Sequence, residues 1–171
     1  MVKLMRSAAI AACIGYLATC AAARGDLAIV EVSPGLYRGP APASGGDYRQ
    51  LRDLGVRTVL DLRKFRVGRM NNTCRCARAH GMNYVRSPVA FRPRRDGSAE
   101  RALRVVADPR RRPLYIHCEY GRDRAGLVIA LYRVRCEGWS RQAAYCEMKR
   151  LGFSDFLRGL EKYFWAYAKH R

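Results

Sequence analysis

Residues 113–136 place the tightest constraint on the fold. Pro113 precedes a short apolar run, Leu114-Tyr115-Ile116; the segment HCEYGRDRAG follows, and the run AGLVIALYRV completes the stretch. The first run reads as a buried strand and the last as an apolar helix beginning at Arg124. The loop between them carries Gly121, so strand end, loop and helix start meet at one point. Similar alternation surrounds this unit. Leu27 to Val32, the turn signal Pro34-Gly35 and Leu36-Tyr37-Arg38 suggest a hairpin. Ser44 to Leu54 reads as a helix capped by Ser44, with Gly55 beyond its end. Strands are expected at Thr58–Leu62 and Tyr84–Phe91, and helices at Asn72–His80, Ser98–Val106 (Ser98 as cap), Arg124–Cys136, Ser140–Leu151 and Asp155–Lys169. The last helix carries Phe156, Tyr163, Phe164, Trp165 and Tyr167, which are expected in the core. Strands alternating with helices predict an α/β fold. Its central, mostly parallel sheet is flanked by helices, and the C-terminal part is helical.

Composition sets the surroundings. Lys and Arg number 33 against 14 Asp and Glu, a net charge of +19, in a chain of 171 residues that is 49% apolar. Wholesale disorder is excluded, and anionic ligands are the expected partners. Residues 1–23 differ from the rest. Lys3 and Arg6 precede an alanine-rich apolar stretch that ends at Arg24. This is the pattern of an export signal or an N-terminal anchor, and it assigns residues 24–171 to one domain. If the leader is real, the protein is exported or membrane-associated (periplasmic or extracellular), with residues 7–23 as the membrane contact; otherwise it is cytoplasmic. Cys74, Cys76, Cys118, Cys136 and Cys146 lie beyond the leader. Their odd number leaves at least one thiol free, and their pairing cannot be read from spacing. Cys74, Cys76 and His80 lack a fourth ligand nearby, so neither a metal nor another cofactor is expected.

The strand-loop-helix unit has a specific chemical consequence. Amides of residues 119–124 converging on one point, with the helix from Arg124 aimed there, would bind a phosphate dianion. The same field favours the thiolate of Cys118. Cys118 would then attack phosphorus to form a phosphocysteine, while the Arg124 fork stabilises the transferring oxygens. Gly121 allows the tight backbone path.

HCEYGRDRAG resembles the HCxxGxDRTG loop of the dual-specificity and atypical bacterial protein-tyrosine phosphatases, which react through cysteine. The likeness covers residues 30–165 and includes Pro34-Gly-Leu-Tyr-Arg38 and Leu54-Gly-Val-Arg-Thr-Val-Leu-Asp-Leu-Arg63. It implies a dual-specificity phosphatase-like sheet with helices on both sides and no metal. The resemblance also implies a general acid. The upstream stretch Ser87 to Phe91 has no carboxylate, which leaves Asp123, in the loop, ahead of Asp96. Glu119, Tyr120, Gly121, Arg122 and Arg63 are the expected substrate-binding residues, with the Glu119 side chain turned outward. His117 is expected to order the loop. Ala125 replaces the usual Ser or Thr, whose hydroxyl assists thiolate departure, so a slow second step is expected.

The expected function is hydrolysis of phosphomonoesters on phosphotyrosine or phosphoserine/threonine proteins, or of phosphoinositides. A catalytically weak phosphate-binding pseudophosphatase is the alternative, and an RNA 5′-phosphatase a more remote one. No RNA-recognition motif stands out, and nucleic acid is not an expected partner.

Overall fold

The computed structural model describes residues 27–64, 67–93 and 97–169. The leader expected at 1–23 lies outside them. Five strands form one sheet: β1 Val30–Ser33, β2 Leu36–Gly39, β3 Thr58–Asp61, β4 Asn83–Arg86 and β5 Leu114–His117. Their order is β1-β2-β5-β3-β4; β1 pairs antiparallel with β2, and every other pair is parallel. The mostly parallel α/β architecture is as the alternation predicts.

The helices are α1 Gly45–Asp53, α2 Val67–Ala79, α3 Ser98–Ala107, α4 Arg124–Cys136, α5 Arg141–Arg150 and α6 Arg158–Tyr167. A 3-10 turn, Pro109–Arg111, leads into β5. Side chains alternate across the sheet. Leu114 and Ile116 of β5 and Leu60 of β3 face the layer built by α3 to α6. Tyr115 and Val59 face the other layer, with Tyr48, Leu51, Ala77 and Met82 of the α1–α2 side. Helix α4 is buried from Arg124 through Val134 and packs against α3, α5 and α6. Each of its fully buried Leu, Ile and Val side chains contributes about 1.5–3 kcal/mol relative to exposure. This explains why a helix so poor in polar residues is stable only at the centre.

Several boundaries differ from expectation. Ser44 caps α1 in a reciprocal box: its Oγ accepts from the Asp47 amide at 3.2 Å, and Asp47 Oδ2 accepts from the Ser44 amide at 3.0 Å. Ser140 caps α5 as expected. Ser98 does not cap α3. Gly97, left-handed at φ 69°, holds the N-cap position, and Ser98 is the first helical residue. Strand β4 stops at Arg86, because Pro88 has no N–H for the ladder. Helix α2 begins at Val67 rather than Asn72, and α6 spans only Arg158–Tyr167. Phe156 therefore lies before α6 and is 94% exposed, whereas Tyr163 and Phe164 are buried.

Gly39 and Asp61 lie opposite His117 in the register. The chain segments that leave these strand ends surround the loop that follows β5.

Candidate active site

Strand β5 ends on His117, which is fully buried, and delivers Cys118, 2% exposed, to the floor of a pocket of about 280 Å³. Arg63, Phe91, Glu119, Tyr120, Asp123 and Arg124 complete its lining. The loop is fastened from below. The Arg38 guanidinium is 3% exposed and donates to the Gly121 carbonyl from Nε at 3.1 Å and Nη2 at 2.7 Å. It also donates to the Arg122 carbonyl at 3.1 Å. In trans peptides C=O and N–H point opposite ways, so the amides of Arg122 and Asp123 are directed away from Arg38. Ala41 N–H holds the Glu119 carbonyl at 3.0 Å. Among the described residues, the amides of 120–124 donate to no protein acceptor. Adjacent amides without protein partners, at the start of a buried helix, are the groups with which a chain binds an anion. Gly121 sits at φ +71° against Gly39, and a Cβ there would meet Gly39 Cα at 2.8 Å and its carbonyl closer still.

Arg124 is 6% exposed; its Nε is buried without a hydrogen-bond partner, and its guanidinium lies 4.4 Å from the Phe91 ring centre. Phe91 thus packs against the fork in the pocket wall. Asp123 lines the pocket, and its Oδ1 accepts from the Ser154 amide at 2.9 Å. This contact fixes the carboxyl rotamer and leaves Oδ2 for chemistry. Asp96, with Arg94 and Arg95, lies outside the described residues.

Beside the loop is a buried polar network. Asp61, fully buried, accepts from Arg63 Nη2 at 2.6 Å and from the Tyr84 hydroxyl at 2.9 Å. Arg63 Nη2 also donates to Thr73 Oγ1 at 2.8 Å. Burial by itself would raise the Asp61 pKa; the His117 ring and the Arg63 hydrogen bonds outweigh it and hold the carboxyl below its ordinary value. Burial likewise works to lower the Arg63 pKa, but its bond to Asp61 leaves it raised. Arg63 is therefore a fixed cation in the pocket wall. Burial pushes the His117 imidazole down, and its Nδ1 lies 3.0 Å from the Cys118 carbonyl. The ring donates there and orders the loop, as expected. Its Nε2 stands 3.9 Å from Asp61 Oδ2.

The structure thus gathers Cys118, Arg124, Asp123, Glu119, Tyr120 and Arg63 in one pocket. Glu119 is half-buried, borders the pocket and the concavity beside it, and its charge acts on Arg63. Arg122 enters through its backbone amide. Its side chain is exposed and lies 5.5 Å from the Tyr120 ring, outside the pocket lining. Gly121 contributes backbone only. Arg110 pairs with Asp108, and Arg112 donates to the Pro34 carbonyl at 2.8 Å, both at the opposite end of β5. Arg38 and Phe91 are the contributors missed by sequence reading. An arginine in a hairpin strand and an aromatic in a basic loop give no local signal of burial beneath, or stacking upon, a distant loop.

A family model described as "DSP-PTPase phosphatase fused to NAD+ Kinase" matches residues 16–158. The chain belongs to this DSP-PTPase phosphatase family. Within it, a 51-residue segment is 45% identical to the dual specificity protein phosphatase TpbA of Pseudomonas aeruginosa, strain UCBPP-PA14. That segment covers 30% of this chain and 23% of TpbA, so the match spans under a quarter of the relative's length. The crystal structure of P. aeruginosa TpbA superposes with a TM-score of 0.64 at 28% identity, covering 82% of each chain. A TpbA cysteine-to-serine variant crystallised with pTyr is similar, with a TM-score of 0.64 at 27% identity over 83% of this chain and 87% of that one. The catalytic core of the PP-IP phosphatase SIW14 from S. cerevisiae shares the fold, with a TM-score of 0.68 at 20% identity over 81% of this chain and 84% of that one.

Proposed function

We propose that this DSP-PTPase family member hydrolyses phosphomonoesters through a phosphocysteine, with phosphoproteins as its substrates. The observation that supports the proposal is Cys118 and a buried Arg124 in one pocket, Arg124 Nε without a protein partner, beside loop amides that donate to no protein backbone acceptor. Such a site is electrostatically complete only with a tetrahedral oxyanion bound. Cys118 Sγ attacks phosphorus as the ester P–O bond breaks. The leaving oxygen takes its proton from Asp123. Water then attacks the phosphocysteine, Asp123 takes back a proton, and the thiolate and inorganic phosphate separate.

Phosphoinositides remain the competing substrate class. The pTyr bound to the TpbA variant supports the protein substrate. Ala125 is fully buried at the foot of α4 and brings no hydroxyl to the departing sulfur, which supports a slow second step and a weak enzyme. The leader-like composition of residues 1–23 supports export or membrane anchoring; among the described residues no helix is long and apolar enough to cross a membrane.

The test is p-nitrophenyl phosphate and phosphopeptide turnover in the native chain, Cys118→Ser, Asp123→Asn and Asp96→Asn. Cys118→Ser abolishes turnover. Asp123→Asn lowers kcat by about 10²–10⁴ on poor leaving groups and less on p-nitrophenol. Full activity in Cys118→Ser would sink the mechanism, and a collapse confined to Asp96→Asn would reassign the acid.

A further inference from the structure

A second concavity adjoins the catalytic pocket. It measures about 720 Å³, against about 280 Å³ for the pocket, and the two share Phe91. Its floor is aromatic and aliphatic, from Phe91, Leu157, Tyr163 and Tyr167; its rim is cationic, from Arg92, Arg158 and Lys162. Gly159 brings the two sides together. A Cβ there would meet the Phe91 carbonyl oxygen and Arg92 Cγ at 2.8 Å, so only glycine lets the segment after β4 lie directly on the start of α6.

The charge balance of the groove is one-sided. Among the described residues, no carboxylate lines it. The neighbouring carboxylates are engaged elsewhere: Asp155 with Lys149, Glu161 with the Tyr145 hydroxyl at 2.6 Å, and Glu100 with the Tyr163 hydroxyl. Among the described residues, Arg92, Arg158 and Lys162 have no ion-pair partner, and all three are exposed. A concave apolar floor ringed by unpaired cations matches an occupant with alternating anionic and apolar groups.

We infer that this groove is a substrate subsite for the peptide flanking the phosphorylated residue, selecting acidic residues interspersed with aromatic or aliphatic ones. The inference rests on the phosphatase reading and names the substrate class of that site. With the phosphoryl group in the catalytic pocket, the chain leaving the phosphoresidue passes Phe91 and enters the groove. Its carboxylates meet Arg92, Arg158 and Lys162, and its apolar side chains lie on Leu157 and Tyr163. A wholly polar polyphosphate would leave that floor unused. A lipid surface would need a continuous protruding apolar face, whereas here Phe156 protrudes at the edge of a concave floor.

The experiment uses two sets of fluorescent phosphotyrosine peptides, flanked by alanine or by Asp/Glu with Phe/Leu, on the N-terminal or C-terminal side. Binding is read by anisotropy to the Cys118→Ser chain, and turnover is read in the native chain. The acidic-apolar flank on one side tightens binding about tenfold over alanine, and added salt erodes the difference. R158E/K162E brings the ratio of the two peptides to about one. Equal affinity for both peptides in Cys118→Ser, or an unchanged ratio in R158E/K162E, overturns the inference. So does tighter binding of phosphoinositide vesicles with no flank preference. The two readings fail separately: p-nitrophenyl phosphate turnover without flank preference removes only the groove, and flank preference without any turnover removes only the catalytic reading.

Discussion

Arg38 makes the sharpest test of how the loop is built. Arg38→Met keeps the length and most of the volume of the side chain but removes the fork that binds the Gly121 and Arg122 carbonyls at 2.7–3.1 Å. Both carbonyls then lose a charged donor, the Gly121 carbonyl at a buried position and the Arg122 carbonyl at a part-buried one. At about 1.5–3 kcal/mol for each carbonyl served by a charged donor, the variant loses about 3–6 kcal/mol of stability. Arg38→Lys keeps the charge but reaches at most one carbonyl, so it falls between. The functional effect is larger than the stability loss alone gives. Without Arg38 the 121 and 122 peptide planes rotate, and a misplacement of about 1 Å at the loop lowers kcat/KM about 100-fold. Urea unfolding supplies the stability, and p-nitrophenyl phosphate turnover, under conditions where circular dichroism shows the variant folded, supplies kcat/KM. Leu51→Ala is the control. Leu51 is fully buried in the α1–α2 layer, far from the loop in the fold, and its truncation costs about 2–5 kcal/mol. Its folded fraction should turn over at the native kcat/KM. The reasoning fails if Arg38→Met stays within about threefold of native kcat/KM, or loses no more activity than Leu51→Ala at matched stability.

Three further outcomes follow from the same geometry. Gly121→Ala meets both a positive φ of 71° and the Gly39 backbone; it loses about 2 kcal/mol or more of stability and most activity, and a native melting curve with native turnover would refute the close approach. Asp61 has a folded-state pKa below its unfolded value, so its contribution is present above about pH 4 and is lost as pH falls through the folded pKa. The stability gap between native chain and Asp61→Asn therefore narrows on acidification below about pH 4, and a gap independent of pH in urea titrations counts against the buried pair. Ala125→Ser, which adds one hydroxyl at a fully buried site, should raise the steady-state rate about tenfold and shrink the stopped-flow burst; equal hydrolysis rates would remove the argument about the second step.

What the sequence made legible is what local physics controls. Helix α4 runs from Arg124 to Cys136 as the apolar pattern requires, because a helix with so few polar positions has no stable exposed alternative. The strand ahead of it and the loop glycine follow from the same segment. The misread cap at Ser98 is also local. Gly97 takes a left-handed conformation that leaves the serine inside the first turn, and a Gly-Ser pair does not say which residue caps.

The catalytic scaffold is a different matter. Arg38 reaches the loop across 83 residues of sequence, and the Ser154 amide reaches Asp123 across 31. Phe91 comes from the stretch after β4 to stack on Arg124. None of the three is chosen by its neighbours in the chain. Arg38 and Phe91 are placed by the sheet order β1-β2-β5-β3-β4, which sets the ends of β2 and β3 on either side of β5, and Ser154 by the packing of α5 on α4. The motif therefore names the atoms that touch phosphorus, while the residues that aim them are fixed only once the sheet has assembled. Arg38 is the extreme case. In a hairpin of a chain carrying +19 it reads as one more solvated cation, yet burial works to lower its pKa while the charges of Cys118, Glu147 and Asp123 work to raise it. A guanidinium kept in so dry a place is retained there by the carbonyls it binds, which makes the shape of the loop depend on a residue outside the motif.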